Sequence, residues 1–195
     1  MALVSSWDVW LPIFLVLLVV LIVKGPFRTR AFVVTLGVIV GINDGVVSNS
    51  LKHLIGRPRP HQVLDGIRVV DLAKAKPRIL AVLRPAEVKV SRPNLNEAVE
   101  GRSFPSSHTT NLISAALVAV CFFGIRAAWM FVVAVLVGYS RIYVGAHWPS
   151  DVITSIFLGL GTGALLLAGL EVLWRRNGTR WLPSVHRLHP SLFSA

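Results

Sequence analysis

The chain has 195 residues, enough for one domain, and 54% of them are hydrophobic, more than a soluble domain normally carries. Its formal net charge of +11 suits nucleic acid, anionic lipid headgroups or a phosphate-bearing substrate; with no soluble basic surface or recognition motif, nucleic acid is set aside. The single Cys121 lies inside an apolar run, which excludes a disulfide framework and reads as a small core residue.

Five segments are predominantly apolar: Trp10–Val23, Ala31–Val47, Leu112–Phe123, Ala127–Tyr139 and Val152–Leu173. With their flanks they approach the ~20 residues that a helix needs to cross hydrocarbon. The pattern predicts an all-α integral membrane protein, a bundle of about five transmembrane helices. Trp7 and Trp10 mark a water boundary at the start of the first. No basic residue precedes that segment, and no small-residue cleavage pattern follows it in KGPFRTR, so it reads as a spanning helix rather than a signal peptide. Gly25-Pro26 breaks the helix.

The second segment turns polar at Asn43-Asp44 and again at Ser48-Asn49-Ser50, before a basic run from Lys52 to Pro60. Polar groups at that depth face either a bundle interior or the interface. Residues 61–105 form a polar insertion containing Pro77, Pro85 and Pro93, with an apolar patch at Ile79–Leu83. So long a connection without structure would be unusual. Short interfacial helices are expected there rather than extended pieces, and the insertion is either a lid or a solvated connection. The link Gly124-Ile125-Arg126 is so short that the third and fourth segments must be antiparallel neighbours. Pro149 suits the first turn of the fifth helix, placing Asp151 where the helix dipole favours a carboxylate. Gly159 and Gly163 would permit close helix packing. The tail from Trp174 carries Arg175, Arg176, Arg180 and Arg187 and ends in a Pro/Ser-rich stretch expected to be poorly ordered. Asn177-Gly178-Thr179 matches a glycosylation sequon, a three-residue coincidence of little weight.

Five crossings put residues 48–107 and 147–150 on one side, with the links at 24–30 and 124–126 and the carboxyl tail on the other. Lys and Arg are more numerous on the first side, mostly within the long insertion or the motifs described below. The positive-inside rule weights short loops and helix ends, and on that weighting the tail is cytoplasmic.

One stretch carries concentrated chemistry, Ser140 to Asp151, read as SRIYVGAHWPSD. An arginine offers a planar fork for phosphate oxygens. A neutral histidine six residues on can attack phosphorus, and a carboxylate four further can hold its other ring nitrogen. Two more clusters fall on the same side of the predicted membrane: Lys52-x6-Arg59-Pro60 and Pro105-Ser106-Ser107-His108. Lys52, Arg59 and Arg141 can supply the charge that phosphoryl transfer needs, although an arginine taken singly reads equally well as a headgroup anchor. The amides of Ser106, Ser107 and His108 at a helix start would add an anion nest. Asp44, about two helical turns before Lys52, could pair with a motif cation or simply stabilise the bundle. His53, His61, His186 and His189 lack such partners and read as surface residues. The acidic residues are too scattered for a di-metal centre, so no metal and no cofactor are implied.

In order and spacing the three clusters resemble the type 2 phosphatidic acid phosphatase superfamily, whose pattern is KxxxxxxRP, PSGH and SRxxxxxHxxxD. One position departs: Ser107 stands where the pattern has glycine, leaving less room for substrate. The motifs span residues 52–151, and the apolar segments resemble the membrane-bound branch. The resemblance implies a transmembrane phosphatase domain over residues 1–174, with 61–105 as its extramembrane insertion, and a basic cytoplasmic tail over 175–195. It implies His147 as nucleophile through a phosphohistidine, Asp151 as acceptor from its far ring nitrogen, and His108 as the acid and then the base. Lys52, Arg59, Ser106, Ser107 and Arg141 would bind phosphate. The function implied is a multi-pass lipid phosphatase of the inner (plasma) membrane, its site facing the periplasm or outside. Its substrate would be a phosphomonoester or pyrophosphate of a lipid, such as phosphatidylglycerol phosphate, undecaprenyl diphosphate, phosphatidic acid or lipid A phosphate. A lipid phosphotransferase using the same site, or a non-catalytic binder or transporter of anionic lipids, are the alternatives; a haloperoxidase has no need of lipid-embedded helices.

Overall fold

A computed structural model describes residues 7–71, 87–93 and 101–193. Its order is α1 (Trp7–Lys24), α2 (Phe27–Ile42), a π-helical turn (Asn43–Ser48), α3 (Asn49–Ile55), α4 (Pro60–Val63), β1 (Arg68–Asp71), β2 (Glu87–Val90), α5 (Ser107–Phe123), a short 3-10 turn (Ile125–Ala128), α6 (Trp129–Tyr143), α7 (Pro149–Trp181) and α8 (Pro183–Leu188). Three helical runs are long and apolar enough to cross a membrane: Phe27–Val63, Ile125–Tyr143 and Pro149–Trp181. Pro12–Lys24 and Ser107–Phe123 are shorter apolar helices. The protein is an all-α membrane bundle with one small hairpin. The side chains of Trp7 and Trp10 lie outside the described residues.

Helix ends follow from local chemistry. α1 stops at Gly25-Pro26, and Arg30 donates from Nε to Gly25 O at 2.9 Å and from Nη2 to Val23 O at 3.2 Å, satisfying carbonyls that have no helical partner. α3 stops at Gly56, whose φ of 58° is left-handed and suited to glycine. The turn over Asn43–Ser48 changes which residues share a face. A regular helix would stack Asp44 beneath Ser48 and Lys52; the wider turn buries Asn43 with Ser48 and leaves Asp44 exposed.

α5 is the central helix, in contact with α2, α6 and α7. Ile113, Ala116, Val118, Ala119 and Phe122 are all buried on it, as expected for a helix surrounded by others. Val118 and Phe122 meet Ala31, Ile39 and Leu167, with Cys121 packed at the margin. Toward α7, Gly159 and Gly163 bring the two backbones together. A Cβ on Gly159 would lie 2.6 Å from Thr110 O, and one on Gly163 3.1 Å from Ser114 Oγ. Polar groups between the helices bond to one another: Asn43 Nδ2 donates to Ser114 Oγ, which donates to Gly159 O, each at 2.8 Å.

Three expectations are corrected. The insertion is not built of helices alone: beyond the short α4, β1 and β2 pair antiparallel, Arg68 opposite Val90 and Asp71 opposite Glu87. Pro77, Pro85 and the Ile79–Leu83 patch lie outside the described residues. Nor is the carboxyl end loose. α7 runs on to Trp181, and after α8 the chain folds back: Trp174 Nε1 donates to His189 O at 2.9 Å, Leu192 N donates to Glu171 Oε2 at 2.9 Å, and Phe193 packs edge-on to Phe122. A buried carboxylate on α7 and an aromatic slot give this Pro/Ser-rich segment partners that composition alone does not reveal. His189 stacks on Phe27 at 4.1 Å, and His186 packs so close to Gly178 that a Cβ there would clash. These two histidines are packed, not surface, residues.

Gly159→Ala should destabilise the bundle by about 1–3 kcal/mol, because backbone stands where the new methyl must go. Gly161→Ala, where a Cβ meets nothing within 4 Å, should leave the melting temperature in detergent near wild type. Equal melting temperatures would show that α5 and α7 pack less closely than described.

Candidate active site

Three chain segments meet above the end of α5. Residues 56–59 leave α3, residues 101–103 approach α5, and residues 144–151 link α6 to α7. Gly101 lies so close to the first segment that a Cβ would sit 2.1 Å from the Arg57 carbonyl carbon. Ser103 N donates to Arg57 O at 2.9 Å, and Trp148 Nε1 donates to Pro58 O at 2.9 Å. In the third segment Ala146 N and His147 N both donate to Arg141 O, at 3.0 and 3.3 Å. Gly145 makes the reversal possible with a φ of 71°. His61 is half-buried with Nδ1 2.8 Å from Gly145 O, so it braces this turn instead of facing solvent. The chain entering β1 also packs here, Ile67 Cγ2 lying 2.9 Å and Arg68 O 3.3 Å from where a Gly145 Cβ would be.

His147 is buried, its side chain 5% exposed. Its Nδ1 lies 2.6 Å from Ser103 O, so that nitrogen carries the proton and Nε2 holds the lone pair. Burial is the main influence lowering its pKa, to about 3. The Arg141 charge adds to this, the hydrogen bond to Ser103 opposes it, and Arg59 and His108 lower it further. The imidazole is therefore neutral across the physiological range, among three of the positions that the motifs single out.

Asp151 is fully buried. The sequence reading has it accept from His147, but it stands 3.9 Å from Nδ1, beyond hydrogen-bond range. The Ser103 carbonyl occupies that role. Asp151 instead accepts from Arg57 Nη1 at 2.6 Å, Ser103 Oγ at 2.5 Å and Trp148 N at 3.1 Å. Arg57 also donates to Ser150 Oγ at 2.9 Å and lies over the Trp148 ring, 5.3 Å from its centroid.

Ser106 departs from its expected place in an anion nest: its amide donates to Ser155 Oγ at 2.9 Å and its hydroxyl accepts from Thr109, so it pins α5 to α7. Ser107 does have a polar partner. Its Oγ accepts from Lys52 Nζ at 2.6 Å, a bond that a glycine there could not make. Lys52 also feels the charges of Asp44, Arg59 and Arg102. The pairing expected of Asp44 is thus an interaction at a distance from an exposed carboxylate. His53 is exposed, as expected.

Arg57, Ser103, Arg102 and His61 are the neighbours that sequence reasoning passed over or read as surface. Arg57 had one available signal: a motif carboxylate at a helix start with no cation assigned to it, five residues after Lys52 and two before Arg59.

Helices of membrane length, with Lys52, Arg59, Arg141 and His108 gathered at one end near a buried neutral imidazole, define an integral membrane protein with a basic, histidine-centred cluster. The chain belongs to the PAP2 superfamily, whose family model matches residues 31–175. It is 32% identical over 99 residues to the undecaprenyl-diphosphatase of Sulfolobus acidocaldarius, covering 50% of this chain and 48% of that one. It is 24% identical over 160 residues to the lipid A 4'-phosphatase of Bacteroides thetaiotaomicron, covering 77% and 60%. The chain spans about half the length of the curated relatives it matches. Among solved structures, the crystal structure of Aquifex aeolicus LpxE is similar with a TM-score of 0.53 and 26% identity, covering 86% of this chain and 81% of that one.

The depressed pKa fixes a sign. Unfolded His147 takes up a proton below its ordinary 6.5, whereas the folded residue does not until about 3. Its contribution to stability is therefore complete above pH 6.5 and is lost progressively as pH falls toward 3. Relative to His147→Gln, the wild-type protein should lose roughly 5 °C of additional melting temperature between pH 6.5 and 5. Parallel pH curves for the two proteins would mean that His147 is not buried in its neutral form.

Proposed function

We propose that this protein is an integral membrane lipid phosphatase that hydrolyses a phosphomonoester or pyrophosphate of a lipid through a phosphohistidine. The observation that carries the reading is the single available lone pair of His147: Nδ1 is committed to Ser103 O, and Arg141, Arg59 and His108 act on the ring. In the first step Nε2 forms a bond to phosphorus while the bond to the lipid oxygen breaks, and protonated His108 gives its proton to that oxygen. In the second, water attacks phosphorus, His108 takes the water's proton, the P–N bond breaks and inorganic phosphate leaves. Lys52, Arg59 and Arg141 bind the phosphoryl oxygens, supported by first-turn amides of α5 at Ser107 and His108.

The tail side of the substrate is read from exposure. The helix that carries Lys52 turns Leu54 and Ile55 outward, 82% and 48% exposed, so apolar surface adjoins the phosphate binder. A lipid anchored in the bilayer meets both at once. The relatives named for undecaprenyl diphosphate and lipid A phosphate favour these two lipids as the first to test. The cations Lys24, Arg28, Arg30, Arg126 and Arg175 belong to the opposite ends of the helices, which supports a plasma-membrane orientation with the site facing the periplasm or outside. Among the described residues no three His, Cys, Asp or Glu side chains are grouped to hold a metal ion, so the charge facing phosphate is assigned to Lys and Arg.

Purified protein in detergent should release phosphate from undecaprenyl diphosphate or lipid A in the presence of EDTA, with inhibition by vanadate. His147→Ala and His108→Ala should each lower kcat by at least about 1,000-fold, as expected for residues making or breaking bonds in the transition state. Full activity in His147→Ala would remove the nucleophile. Transfer of the phosphoryl group to an acceptor lipid, without free phosphate, would reassign the protein as a phosphotransferase.

A further inference from the structure

We propose that Ser103 is the positioning residue for His147, and that Asp151 and Arg57 act on the nucleophile only through it. The proposal rests on the phosphatase reading and assigns roles to two residues outside the motif positions. Ser103 is fully buried and uses all three of its polar groups. Its amide donates to Arg57 O at 2.9 Å, its hydroxyl donates to Asp151 Oδ2 at 2.5 Å, and its carbonyl accepts from His147 Nδ1 at 2.6 Å. Asp151 lies too far from the imidazole, at 3.9 Å, to set its tautomer directly.

A peptide carbonyl differs from a carboxylate as an orienting group. It only accepts, and it does not titrate, so it enforces the Nδ1–H tautomer whatever the pH. Its weakness is mobility, because a loop carbonyl must be held from outside. Arg57 and Asp151 supply that hold. The guanidinium joins Asp151 and Ser150, and its face lies over Trp148. The carboxylate fixes the Ser103 hydroxyl, and the Arg57 carbonyl fixes the Ser103 amide. The clasp closes on itself through residues 57, 103 and 151, and His147 hangs from its one remaining acceptor.

The two wirings respond oppositely to neutralisation. In a direct carboxylate–imidazole pair, an amide in place of the acid imposes the wrong tautomer and costs about 10,000-fold in kcat. In the clasp, the ion pair can be replaced by a neutral hydrogen-bonded pair while the carbonyl stays where it is. Arg57→Gln alone should lower kcat by about 100-fold with KM little changed, since it takes the paired cation from a buried carboxylate and leaves it only neutral donors. The double variant Arg57→Gln/Asp151→Asn should recover to about a tenth of wild-type kcat. Melting temperature in detergent reads the same coupling without turnover: it should fall in Arg57→Gln and rise again in the double variant. The proposal is overturned if the double variant is as inactive as His147→Ala, or if Arg57→Gln matches wild type in both kcat and melting temperature. Activity in His147→Ala, assayed alongside, would instead sink the phosphatase reading itself, so the two failures are distinguishable.

Discussion

A neutral imidazole has two tautomers, and only one presents the nitrogen that the proposed reaction needs. Burial and the neighbouring cations settle the charge of His147, since both disfavour a second proton. Neither chooses between the two nitrogens. That choice is made by the 2.6 Å hydrogen bond to the Ser103 carbonyl, and most of the surrounding architecture bears on keeping that carbonyl still. The contact of Gly101 with the backbone around Arg57, the left-handed Gly145, the His61 brace and the Arg57–Asp151 ion pair each remove a way for the three segments to drift apart. Because two of these segments enter or leave spanning helices, the geometry of the ring is tied to the packing of the bundle.

That packing is unusual in where it puts polarity. Lys52 meets Ser107 at one level, and Asn43 meets Ser114 at another. The two lysine–serine and asparagine–serine contacts are seven residues apart on α5, nearly two turns on one face. On the facing run they are nine residues apart, and the wider turn over Asn43–Ser48 brings those residues to the same face. Without it Asn43 would stand about half a turn away from Lys52's face, and Asp44 would lie nearer that face than it does. π-Turns recur at functional sites, and here the effect can be stated physically: the turn places an amide in the interior and leaves the neighbouring carboxylate exposed, with Lys52 still aimed at α5.

Much of this was legible in the sequence because it depends on spacing. The apolar segments, the tight link at Gly124 and the three clusters are all local patterns, and Gly159 and Gly163 announced close packing on α7, though not that α5 would be the partner. Other features depend on which partner arrives from elsewhere in the chain. Ser106 at the start of α5 looks like an anion binder until Ser155, on another helix, takes its amide. Asp151 looks like the histidine's orienter because the two are four residues apart; nothing in that spacing shows a carbonyl from residue 103 arriving first. The extra turn width over Asn43–Ser48 is a departure that a regular helical period cannot reveal. The carboxyl segment has the composition of a tail, and it becomes ordered because Glu171 and Phe122 lie in reach.

Ser107 is where the chain departs from the family pattern, and the departure has a consequence for charge. Lys52 sits within the field of Asp44, which attracts its ammonium, and of Arg59 and Arg102, which repel it. A hydroxyl at 2.6 Å gives it a fixed acceptor without adding negative charge that would compete with substrate. It also limits the freedom of a long side chain, whose rotamer entropy amounts to about 2 kcal/mol. In the proposed reaction a phosphoryl oxygen, a stronger acceptor than a neutral hydroxyl, would draw Lys52 from one to the other. Glycine at this position would leave more space but no such acceptor. In this chain, then, the oxygen that takes up space where the pattern has glycine is the same one that fixes the lysine at the first turn of α5.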